Sequence, residues 1–408
     1  MAKPEIRIKG FDEEWTKSSI GDLGNWHKGR LLAKSDISEN GKYACIHYGE
    51  LFTQYGAVID EVISKTDVNT ESFSKVGDLL FPDSDVTPTG LARCSALMKE
   101  NVILGGGINV LRLQKGLSAP FISYSINREK RQIIDRVTGT MVKHINSKSL
   151  SEVVIGVTPK KDEQERIAEY LELLDSNIRI TEKKLASIKQ LKKACLISMF
   201  PLPGEKTPRV RVKGFTGDWE TEKLGSIATR ITRKNTKLET RLPLTISSLD
   251  GLIEQTMFFN NVVASVNLSG YYLIKRGEFA YNKSYSNGFP FGSVKRLEKF
   301  DKGALSTLYI VFSLNNNIAS DYIVSFFETC LWHREVSKRA AEGARNHGLL
   351  NISADDFLDI DILIPPTIDE QQKVADFLKT IDLQIMIQSQ RLEKLKQIKS
   401  ACLDKMFV

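Results

Sequence analysis

Seven residues in three polar stretches carry side chains suited to reading a nucleic acid: Arg93; Asn282, Lys283 and Ser284; and Arg345, Asn346 and His347. Arginine grips guanine edges with two parallel hydrogen bonds, asparagine matches adenine in the same way, and lysine holds phosphate. Arg93 ends Thr89-Gly-Leu-Ala-Arg93, and the last three sit in Glu342-Gly-Ala-Arg-Asn-His-Gly348. Glycine in such a stretch lets backbone approach a duplex closely. Any one of these residues alone also fits a solvated loop; only as a set do they point to DNA.

Chemistry beyond binding is missing. No G-x-x-x-x-G-K-[ST] loop exists; residues 24–31 come closest but lack the Lys and the Ser/Thr that hold phosphate and magnesium. Gly105, Gly106 and Gly107 lead into a strand-like run rather than a helix. Pro365-Pro366 is flanked by Ile364 and Thr367, which is not the Asp/Asn-Pro-Pro-aromatic motif of amino-methyltransferases. Pro82-Asp83 has the look of a nuclease motif, but no acid-x-Lys follows within about forty residues. The five His are scattered without an H-E-x-x-H, and the five Cys contain no C-x-x-C. A disulfide framework or a cysteine zinc site is not expected, and a reducing cytoplasm is. The chain is expected to have no catalytic residue, metal or cofactor of its own. A net charge of +7 over 408 residues suits a nucleic-acid partner, while 41% hydrophobic and 26% charged residues describe ordinary folded domains. No apolar run approaches the ~20 residues of a spanning helix, and residues 1–7 have no apolar signal region.

The elements that must position the reading side chains come from an internal repeat. Moving residues 162–200 along by 207 lays them on 369–407 with 17 identities in 39 positions, far above what unrelated segments share. At a shift of 204, Pro4-Glu-Ile-Arg-Ile-Lys-Gly-Phe11 resembles Pro208-Arg-Val-Arg-Val-Lys-Gly-Phe215, and Trp15 matches Trp219. Residues 24–136 and 228–340 share only scraps. A constant frame around two different inserts implies one task performed twice with two specificities.

The repeated segments read as long helices. Ile167, Leu171, Leu174, Ile178, Thr181, Leu185, Ile188, Lys192, Cys195 and Met199 alternate spacings of four and three, which is a coiled-coil seam. The copy is Val374, Leu378, Ile381, Ile385, Gln388, Leu392, Leu395, Lys399, Cys402 and Met406. Polar residues recur at the same two seam positions, 181/388 and 192/399, where they cost stability and fix register. Asp162 with Glu165, and Asp369 with Gln372, have capping-box spacing. Each helix is expected to be ~55 Å long.

The predicted architecture is α+β and pseudo-two-fold. A mixed α/β domain over 1–160 leads into a helix over 161–200. After a linker over 201–208 come a second domain over 209–367 and a second helix over 368–408. The helices pair as an antiparallel intramolecular coiled coil. Candidate strands are 57–63, 101–104, 110–113, 153–157, 242–247, 261–266, 308–313 and 360–364; candidate helices in the domains are 119–135 and 321–340.

The run Ile364-Pro-Pro-Thr-Ile-Asp-Glu370-Gln371-x-x-Val-Ala375-x-Phe-Leu378 resembles the specificity subunits of type I restriction–modification systems. So do Val157-Thr-Pro159-x-x-x-Glu163-Gln164, the Lys-Gly-Phe-x-x-x-Trp segments and His47-Tyr-Gly-Glu-Leu-Phe-Thr-Gln-Tyr55; the first copy departs in having Val-Thr-Pro for Ile-Pro-Pro. The resemblance implies two target recognition domains, each reading half of a bipartite double-stranded DNA site. It implies helices that set the unread spacer at about one helical turn and dock two modification subunits. S-adenosylmethionine would then be bound by those subunits, which flip and methylate adenine, and ATP and Mg would belong to restriction subunits. A stand-alone bivalent DNA-binding regulator or adaptor is the competing reading, and a nuclease or methyltransferase fusion a third.

Overall fold

The computed structural model describes residues 3–30, 32–70, 73–259, 267–340 and 350–408. The chain forms two compact units: residues 1–183 with 389–408, and residues 184–388. Each long helix therefore begins in one unit and finishes in the other. The unit boundaries fall inside the helices rather than at their ends.

In the first unit a five-stranded sheet runs in the order Gly24–Lys28, Ile108–Leu113, Asp78–Pro82, Ser95–Leu97, Val58–Ile59. All its pairs are antiparallel except the last. The second unit has Ala228–Arg230, Ile310–Leu314, Phe279–Asn282 and Ser293–Arg296 in that order, all antiparallel. A second, four-stranded sheet in each unit contains one parallel pair, Tyr43–Ile46 with Ile103–Leu104 and Pro243–Ser247 with Lys302–Leu305. Two-stranded ladders close the units: Thr16–Ser19 pairs with Val154–Val157, and Glu220–Lys223 with Asp361–Ile364. Those ladders belong to the repeated frame, so the unlike inserts are held between like ends.

The long helices are Lys161–Ser198 and Ile368–Lys405, 38 residues each. Every seam position from 167 to 199, and from 374 to 406, is buried or half-buried, while most of the positions between them are exposed. Within the first unit Lys399 meets the Asp175 carboxylate and Lys396 lies 2.7 Å from Glu182. The second helix retreats as the first advances, so the two run antiparallel. Within the second unit Lys192 lies 2.5 Å from Asp382. Asp175 and Asp382 occupy equivalent repeat positions, as do Lys399 and Lys192, so one ion pair is made twice. Burial alone would depress the Lys192 ammonium, but Glu328 and then Asp382 outweigh it and hold its pKa above the usual value. A charged seam side chain with a matched partner penalises a slipped register, which a purely apolar seam tolerates better.

Both helices end by burying a Met–Phe pair. Phe407 stacks on Phe121 at 5.2 Å in the first core, beside Trp15. Phe200 lies 5.7 Å from Tyr322 and 5.9 Å from Trp219 in the second.

Several expectations need correction. The helices start at Lys161 and Ile368, so Asp162 and Asp369 are already helical and not the capping residues. In the second copy Thr367 Oγ1 caps instead, accepting from Glu370 N at 3.3 Å. The helix expected over 119–135 is two, Ala119–Arg128 and Lys130–Ile134, because Asn127 Nδ2 donates to Ser123 O at 2.8 Å and to Cys94 O at 2.7 Å. The helix expected over 321–340 breaks likewise into Ser320–Phe326 and Leu331–Arg339, where Thr329 Oγ1 donates to Phe326 O and accepts from Leu331 N. Strand 57–63 shrinks to Val58–Ile59, since its neighbour Ser95–Leu97 is only three residues long. Strand 101–104 shrinks to Ile103–Leu104, since Asn101 has φ +61°. Strand 261–266 lies outside the described residues.

Candidate nucleic-acid interface

The frame that positions both inserts is built on the repeated Glu-Gln pair at each helix start. Arg7 Nε and Nη2 donate to the two Glu163 carboxylate oxygens at 2.7 and 2.9 Å. Arg211 makes the same fork with Glu370 at 2.8 and 2.9 Å, and Trp219 Nε1 adds a bond of 3.2 Å. Glu163 and Glu370 are fully buried, and the hydrogen bond each makes holds its arginine partner above the usual arginine value. The adjacent glutamine ties helix to insert. Gln164 accepts from Ser118 N at 2.8 Å and donates to Thr158 O at 2.8 Å. Gln371 accepts from Ala319 N at 2.9 Å and donates to Pro365 O at 3.1 Å. A buried amide satisfied on both sides sets the insert at a fixed angle to its helix.

Arg93 lies in the first unit between the short helix Pro88–Leu91 and strand Ser95–Leu97. Its Nη1 donates to Leu51 O, its guanidinium sits 5.4 Å from the Phe52 ring, and Nε makes no hydrogen bond. Burial pushes it below the usual arginine value. In this structure the side chain braces the segment Glu50–Thr53.

Asn282, Lys283 and Ser284 leave the end of the central strand Phe279–Asn282 in the second unit. Asn282 Oδ1 accepts from Ser284 N at 3.0 Å, shaping the turn. Lys283 O accepts from Leu350 N at 3.0 Å, and Lys283 Nζ donates to Ile352 O at 3.2 Å. Gly292 is obligatory beside them: φ is +77°, and a Cβ there would lie 1.9 Å from Asn282 O. Arg345, Asn346 and His347 lie outside the described residues.

The structure adds polar groups that periodicity could not find. Ser248 Oγ lies 3.2 Å from Ser286 Oγ and 3.1 Å from Ser293 Oγ, and Ser293 pairs with Asn282 across the ladder. Ser248 and Ser293 border a groove of about 400 Å³ in the second unit, whose other walls include Lys189, Lys193, Lys295 and His333. Burial lowers the pKa of both Lys295 and His333, which keeps His333 neutral near neutrality. In the first unit the matching strand, Asp78–Pro82, runs into Asp83 and Ser84, and His144 Nδ1 lies 3.0 Å from Ser84 Oγ. Among the described residues no group of three or more His, Cys, Asp or Glu side chains is placed to hold a metal ion. Among them, too, no helix is long and apolar enough to cross a membrane.

The model of the type I restriction modification DNA specificity domain matches the chain twice, over residues 12–190 and 216–397. A type I specificity subunit of Mycoplasma genitalium is 23% identical over 231 residues, which cover 56% of this chain and 53% of that protein. The chain thus spans about half the length of that relative. The crystal structure of a type I restriction-modification S subunit from M. genitalium superposes with a TM-score of 0.64 at 17% identity, covering 100% of this chain and 99% of that one, so the fold is shared. With the specificity domain matched twice across most of its length, the chain belongs to the type I restriction modification DNA specificity family.

Proposed function

We propose that each unit reads one half of a bipartite double-stranded DNA target. The long helices set the unread spacer and dock two modification subunits, and no reaction is catalysed by this chain. On this reading S-adenosylmethionine belongs to the modification subunits, ATP and Mg belong to restriction subunits, and the complex works in the cytoplasm. The observation that carries the reading is the pairing of like frames with unlike inserts. The Arg7–Glu163 and Arg211–Glu370 forks are the same, while the strand ends they support carry Asp83-Ser84 in one unit and Lys283-Ser284 in the other. Docking of two like subunits is supported by apolar residues left exposed at equivalent helix positions, Tyr170 with Phe377 and Ile180 with Ile387. The basic groove beside Asn282 suits backbone phosphate, so affinity should fall as salt rises.

Exchanging residues 24–136 for those of another family member tests the modularity. Mapping the adenines methylated by the assembled complex should show one half-site altered and the other unchanged. Alteration of both halves would overturn the assignment of one unit to one half.

A further inference from the structure

We infer that the hairpin 138–144, with the strand end at Asp83 and Ser84, is the base-reading element of the first unit, and that it takes an A·T pair through the major groove. The inference rests on the reading of the first unit as a DNA reader and names the contact that does it.

Position comes first. Asp78–Pro82 is wholly buried in the middle of its sheet, and the chain emerges from it at Asp83. Ser84–Asp85 then pairs antiparallel with Lys143–His144. Ile145 N donates to Asp83 O at 3.0 Å, and in the second unit Leu350 N donates to Lys283 O at 3.0 Å. One backbone link thus anchors the end of the equivalent strand in both units, although the inserts share almost no sequence. Thr138 and His144 exchange both backbone hydrogen bonds, at 3.0 and 2.8 Å, which closes the hairpin. Gly139 has φ +100°, and a Cβ there would lie 2.1 Å from Val142 O, so the tight end demands glycine.

Exposure comes second. Met141 at the tip is 87% exposed, more than any other large hydrophobic side chain among the described residues, and Val86 and Val142 beside it are 73% and 47% exposed. Apolar side chains held out together at a hairpin tip suit a partner surface. The thymine methyl is the apolar feature of the major groove.

The polar chemistry selects the base pair. Ser84 Oγ donates its one proton to Asp83 Oδ1 at 2.7 Å, and Lys28 Nζ lies 3.0 Å from the other Asp83 oxygen. Ser84 Oγ then accepts from His144 Nδ1–H, and in that tautomer Nε2 is an acceptor. An acceptor offered to the major groove meets the amino group of adenine or cytosine, and only an A·T pair also presents a methyl group there. Lys28, paired with Asp83, and Lys143, whose Nζ donates to Gly139 O at 2.7 Å, lie beside the site and add positive charge near the phosphates.

The full chain assembled with modification subunits, selecting duplexes from a randomised pool, provides the test. The unsubstituted chain should enrich a motif in which His144→Ala and Met141→Ala each reduce discrimination at a single A·T position by about tenfold, with the other positions unchanged. His144→Gln, whose amide oxygen accepts in the same place, should keep the preference. His144 and Met141 are exposed, so both alanine variants should fold. A motif that survives both alanine variants unaltered, or a loss of affinity spread evenly over all sequences, would overturn this contact and leave the reading of DNA by the chain intact. If the unsubstituted chain enriches no motif, both fall together.

Discussion

Glu163→Ala is expected to destabilise the first unit by about 3–5 kcal/mol, as breaking a buried ion pair from one side does. The carboxylate is fully buried and Arg7 is 13% exposed, so the guanidinium left behind recovers little hydration. Three donors converge on Glu163: Nε and Nη2 of Arg7, and the Thr158 hydroxyl. Alanine strands all three at the point where the first strand, the last strand and the long helix meet. Replacing Arg7 and Glu163 together by leucine should recover much of the loss, because no charge is then stranded. Chemical denaturation measures both. A loss below about 1 kcal/mol for Glu163→Ala would place the fork among ordinary surface pairs.

Phe200→Ala should cost about 3–5 kcal/mol, the usual range for a fully buried phenylalanine whose site cannot collapse. Phe200 is 1% exposed and touches Trp219, Tyr322 and Phe326, all large rings held by other contacts, so the cavity stays open. The effect should fall on the unit where the helix ends, not the one where it begins. Trp219 and Trp332 lie in the second unit and Trp15 and Trp26 in the first. Tryptophan fluorescence of variants keeping one pair or the other separates the two unfolding transitions. A shift confined to the first pair would contradict the packing described for Phe200.

How much of this was legible in the sequence follows from the range of each interaction. The seam at 167–199 and its copy depend on spacing within one helix, and each seam residue is buried or half-buried where periodicity puts it. The Glu-Gln motif was visible as a pattern, but its reason was not, because Arg7 lies 156 residues from Glu163. The echo of Arg7 in Arg211 at the shift of 204 was the available signal. The breaks after Arg128 and Phe326 were hidden because they depend on what Asn127 and Thr329 hydrogen-bond, and Asn127 reaches Cys94 across the fold. Residue type and a nearby glycine single out Arg93, and neither reveals that its guanidinium meets the Leu51 carbonyl. The hairpin at 138–144 leaves no sequence signal, because His144 and Ser84 are 60 residues apart and neither falls in a repeated motif.

The most direct measurement of two readers in one chain is the sequence enriched from randomised duplex DNA by the full-length protein assembled with modification subunits. The account predicts two short blocks, unrelated to each other, at one fixed separation with no preference between them. A single continuous block, or two blocks at freely varying separation, would contradict it.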